Sequence, residues 1–159
     1  MKSTKISTLL LVTISTAVVS FFVVRLLVAN GNPLPVSPLN LLITLVAIAL
    51  VILALSLPIW NYKNAVKKKP AVKRVDPFYA VRVLLLSKAS SISGSIFLGW
   101  HIGAVTSQLI SPVTAGSALL QNAAGAFASL FLIASSITTE HTCRLPDDPD
   151  SGCLLYTSD

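Results

Sequence analysis

Residues 86–107 read LSKASSISGSIFLGWHIGAVTS, an apolar run that opens on a lysine and then places a small residue at every fourth position. Ser87, Ser91, Ser95, Gly99, Gly103 and Ser107 make one unbroken series. In lipid there is little hydrophobic force between helices, so contact energy comes from close backbone approach, which small residues permit. Residues four apart advance 400° around a helix, so each step along the row slips by about 40°. One straight partner follows such a row for two or three members only. The pattern therefore predicts a transmembrane helix that packs through Ser and Gly and meets different neighbours along its length.

Composition extends that expectation to the whole chain. Its 159 residues are 53% hydrophobic and only 11% charged, which excludes a soluble domain of this size. Four stretches, about 6–29, 38–60, 83–108 and 113–138, exceed the roughly 20 residues that span a hydrocarbon core. The expected fold is an all-α membrane protein, a single domain over residues 1–150. Its four transmembrane helices form an antiparallel helical bundle with both termini inside.

Charge sets that orientation, because Lys and Arg are retained on the cytoplasmic side. The connections NGNPLPVSP (30–38) and LISPV (109–113) carry no charge and are read as outside. Of 12 basic residues, all but Arg25 and Lys88 fall at the N-terminus, in the 61–82 connection or after the last span. KKKPAVKR (67–74) is read as a topology signal and a contact for anionic lipid headgroups; without interleaved aromatics it is no nucleic-acid site. Asp76 followed by Pro77 predicts a helix start, with Arg82 facing phosphates at the cytoplasmic interface. Arg25 and Lys88 lie near span ends, where both can snorkel, and no carboxylate falls inside any predicted span to pair with them.

The short 109–113 connection makes spans three and four antiparallel neighbours. Counting ten residues to either side of Ser111 places His101 and Gln121 at matching depth, with Asn122 adjacent. Arg25 is also in the outer half, so Arg25, His101, Gln121 and Asn122 are a candidate polar cluster. Interhelical hydrogen bonding accounts for such a cluster, and a ligand or proton site is the alternative.

No phosphate-cradling, metalloprotease or nucleophile-elbow motif occurs, and Cys143 and Cys153 lack companions at ligand spacing. No cofactor, metal or catalytic residue is expected. The tail CLLYTSD (153–159) matches the translation of a sequencing-adapter end, TGT-CTC-TTA-TAC-ACA-TCT, so residues 151–159 are expected to be non-native.

RLLVANGNPLPVSP (25–38), DPFYAVRVLLLSKAS (76–90) leading into GSIFLGWHIG (94–103), and CRLPDDPD (143–150) together resemble the actinobacterial membrane-protein family known as domain of unknown function 3180. The resemblance implies a small four-span plasma-membrane protein and brings no catalytic residue. The leading expectation is a non-enzymatic accessory or scaffold protein acting through helix packing and its basic loop, with a membrane-protein partner or a second copy. A small-solute or ion transporter subunit is the alternative.

Overall fold

The computed structural model describes residues 5–33, 35–68, 77–111 and 116–143, and among them the secondary structure is helical throughout. Four helices follow in order: α1 (Ile6–Ala29), α2 (Leu39–Lys68), α3 (Pro77–Ile110) and α4 (Gly116–Cys143). Each is long and apolar enough to cross a membrane. Leu11, Phe22, Leu120 and Phe127 are each more than half exposed on their outer faces. Lipid is the solvent such surfaces suit, since patches of this extent are avoided in water.

Helix ends follow local chemistry. Gly31 adopts φ 78° just beyond α1. That left-handed turn lets the Gly31 amide donate to the Val28 carbonyl and the Asn32 amide to that of Leu27, satisfying orphan carbonyls of the last turn. Three helices outrun the apolar stretches. The second continues from residue 60 to Lys68, the third starts at Pro77, and the fourth passes Thr138 to reach Cys143. That last extension matters, because it carries Glu140 into the packed interior, 5% exposed, where a span ending at 138 leaves no carboxylate. Asp76 and residues 151–159 lie outside the described residues.

Packing is centred on α3, which touches all three other helices; α1 meets α3 alone. Gly99 faces Thr13, Thr16 and Ala17, and Gly103 faces Ala17 and Ser20, so numbering rises together and α1 runs parallel to α3. Gly94 instead faces Ser129 and Ile133 on α4. His101, further along α3, faces Gly125, so α3 and α4 are antiparallel. Leu45, Ala49 and Ile52 of α2 pack with Ala128 and Leu132 of α4, while Ile59 clusters with Val83, Leu84 and Cys143 at the other end. Pro58 lacks the amide that an α-helix directs to the carbonyl four residues earlier. Nearby, the Tyr79 hydroxyl donates to the Leu55 carbonyl at 3.0 Å and ties α3 to α2.

The small-residue row is buried wherever it carries serine: Ser87, Ser91, Ser95 and Ser107 are at most 2% exposed. Its hydroxyls are largely spent on their own helix. Ser87 donates to Leu84, Ser91 to Lys88 and Ser95 to Ser91, all at backbone carbonyls. A serine bonded this way presents a small, satisfied surface. Gly99 and Gly103 meet α1, whereas Ser87 is two heptads from His101, on the face that meets α4.

Candidate functional site

The C-terminal half of α3 and the N-terminal part of α4 hold a buried hydrogen-bond network that the extended 35–38 segment between α1 and α2 completes. His101 and Asn122 are each 1% exposed, on α3 and α4 respectively. Ser37, held between Val36 and Pro38, drops its hydroxyl between them: Oγ lies 3.1 Å from His101 Nδ1 and 2.8 Å from Asn122 Oδ1. Asn122 Nδ2 donates to the Pro35 carbonyl at 3.1 Å.

These bonds fix their own directions. A carbonyl only accepts, so the Asn122 amide nitrogen must face Pro35, which turns Oδ1 toward Ser37. The single Ser37 proton is then committed to Oδ1, and Oγ must accept from His101. His101 is thereby the tautomer protonated on Nδ1. Its Nε2 is buried and has no hydrogen-bond partner among the described residues.

Gly125 explains how the ring fits. A Cβ at that position would collide with the imidazole, coming within 2.8 Å of Nδ1 and nearer still to Nε2. Without one, the imidazole packs closely against α4 at Gly125.

Of the four residues grouped by depth, the structure joins His101 and Asn122. Gln121 is half-buried beside them and takes no part in the network. Arg25 stands exposed, its guanidinium 5.6 Å from the Phe21 ring centroid one turn away, so it is not part of the cluster. Depth counting finds matching levels but not facing directions, and Arg25 faces away. Ser37 and Pro35 lie in a segment that reads as an outside connection; the sole signal is PVSP, where flanking prolines favour extended backbone. At the other end of the molecule Arg82 is exposed and Lys88 half-buried.

Two cavities flank the line where α1 joins α3. One of about 390 Å³ is lined by Val18, Phe22 and Ile102 among others. The second, about 360 Å³, lies among Thr16, Leu41, Phe97, Trp100 and the 35–38 segment, with His101 in its wall. Among the described residues no group of three or more His, Cys, Asp or Glu is placed to hold a metal ion.

The physical work of this network is to fasten the 35–38 segment onto α3 and α4. Ser37→Ala removes the shared hydroxyl and leaves His101 Nδ1 and Asn122 Oδ1 buried without it. At about 0.6–1.7 kcal/mol per interhelical bond, the unfolding midpoint of the purified protein should drop by several degrees. An unchanged midpoint counts against the network as drawn.

Four apolar crossing helices with a polar core at one end define a small multi-pass integral membrane protein. The chain matches the family described as "Protein of unknown function (DUF3180)" over residues 9–147, and it belongs to that family. No curated protein and no solved structure matches it.

Proposed function

We propose that this protein is a non-enzymatic accessory or scaffold protein of the bacterial plasma membrane, working by lateral contact with another membrane protein. The observation that carries this reading is the uncovered edge of the bundle. Helix α1 rests on α3 alone, and the two cavities beside that line present mostly apolar walls in the membrane-crossing region. The Lys and Arg residues at the N-terminus, in the 61–82 connection and after the last helix support a cytoplasmic side for both ends of the chain and for that connection, with its lysines against anionic headgroups.

Affinity capture after lipid-preserving extraction tests the function. A partner retained by the native chain and lost from Ile102→Trp, which fills the cavity lined by Val18, Phe22 and Ile102, supports it. A partner indifferent to that change, or none, overturns it. Sidedness has its own measurement: a cysteine replacing Lys68 should react with a membrane-impermeant thiol reagent only after the cells are opened. Labelling from outside intact cells reverses the orientation.

One observation favours a second reading, a small-solute or ion transporter subunit. The directional relay from His101 through Ser37 to Asn122 resembles the polar stations that line transport paths. Flux in proteoliposomes that Ser37→Ala abolishes would establish transport in place of scaffolding.

A further inference from the structure

Glu140 is the one carboxylate side chain among the described residues, and it is 5% exposed near the inner end of α4. A carboxylate in such a place requires compensation, because leaving it unpaired away from water is costly. The register of α3 against α4 shows what supplies it.

The two helices are antiparallel, with Gly94 against Ile133. Seven residues turn a helix through 700°, within about 20° of the starting direction. One heptad inward from Ile133 is Glu140. One heptad inward from Gly94 and Ser95 are Ser87 and Lys88. The inner cluster fixes the same register independently, since Cys143 packs with Val83 and Leu84. Glu140, three residues before Cys143, therefore falls level with Leu86 or Ser87, within about 3 Å of Lys88 along the helix axis. Ser87 itself is fully buried, and Lys88 is half-buried beside it.

We infer that Lys88 and Glu140 meet as an ion pair across the inner end of the α3–α4 seam, forming a second buried polar site distinct from the outer network. A lysine has the flexible four-carbon stem needed to reach across from a half-buried position. Ser136 and Thr139 lie on the same inner stretch of α4, fully buried, and their hydroxyls have no hydrogen-bond partner among the described residues. They are donors of the kind a buried carboxylate uses for the lone pairs that an ammonium leaves open. Lys88 thus acts as the counter-ion of α4, and its value to the fold depends on Glu140.

A double-mutant cycle on the full chain, purified in lipid nanodiscs, separates this from snorkelling. Lys88→Gln and Glu140→Gln are each expected to lower the unfolding midpoint by several degrees, and the double variant to be no worse than the poorer single one. Losses that simply add, or a silent Lys88→Gln, overturn the pair. Where a single variant fails to accumulate, proximity is read directly in native membranes. In a Cys143→Ala, Cys153→Ala background, Lys88→Cys with Glu140→Cys should be joined by a short bifunctional thiol reagent, and Leu86→Cys with Glu140→Cys should not. The reverse pattern, or no crosslink at either pair, overturns the inference.

Discussion

Gly103→Leu is expected to separate α1 from α3 and to reduce the folded protein in the membrane by about tenfold or more. A bare Cβ at Gly103 would lie 2.5 Å from the Ala17 carbonyl oxygen and 2.7 Å from the Ser20 Cβ. The first of these is backbone, so no rotamer change relieves it, and the helix axes must part. Overpacking of this kind costs about 1–3 kcal/mol, and each 1.4 kcal/mol is a factor of about ten. The bond from Ser20 Oγ to the Trp100 carbonyl, 2.9 Å long, is lost as well. Gly99→Leu should behave alike, its Cβ meeting the Thr13 carbonyl oxygen at 2.5 Å. Gly116→Leu is the control, because nothing lies within 4 Å of a Cβ there. Abundance and unfolding midpoint, measured for all three, decide the matter: equal tolerance would mean that the glycines do not set the approach of α1.

Gly125→Ala is expected to have an effect of similar size through a single added methyl. The His101 ring occupies the space the methyl needs, and it is held there by Ser37. Evicting it costs an overpacking term of about 1–3 kcal/mol together with the interhelical hydrogen bond, for a total of roughly 2–4 kcal/mol. A second substitution makes the test specific. Adding His101→Ala to Gly125→Ala removes the ring that clashes, so the double variant should be more stable than Gly125→Ala alone. A double variant that is worse would show that the glycine serves some purpose other than housing the imidazole.

Which parts of this were legible in the sequence follows from what hydropathy and periodicity measure. Hydropathy reports where lipid is, and it marks all four crossings, since each exceeds the membrane core without a Gly or Pro break strong enough to end it. The every-fourth-residue row on α3 is equally plain, because a lack of side-chain volume needs no knowledge of the partner. Facing direction is another matter. His101 and Asn122 come together partly because depth counting across a short turn is sound for antiparallel neighbours. Arg25 shares their half of the membrane yet points outward over Phe21, a choice set by how α1 rolls onto Gly99 and Gly103. Ser37 is invisible to the same reasoning, because a proline-rich connection reads as a surface strap until its hydroxyl is seen between two buried side chains. Glu140 escapes for a related reason. The polar run at 138–142, TTEHT, looks like the end of a span, whereas packing against α3 carries the helix on to Cys143.

Two of the three threonines of α1 bear on how the chain is made. Thr13 and Thr16 turn their hydroxyls back to the carbonyls of Leu9 and Val12, so those groups are satisfied before any other helix arrives. Helix α1 waits for α3, and Gly99 is synthesised 86 residues after Thr13, a delay of roughly 4–17 s at ordinary ribosome speeds. Through that interval α1 sits in the bilayer as a self-sufficient anchor, and Ser20 is the hydroxyl whose cross-helix acceptor, the Trp100 carbonyl, has yet to be translated. A chain stopped at Lys68 should accordingly keep α1 inserted and protected from protease, before the helix it packs against exists.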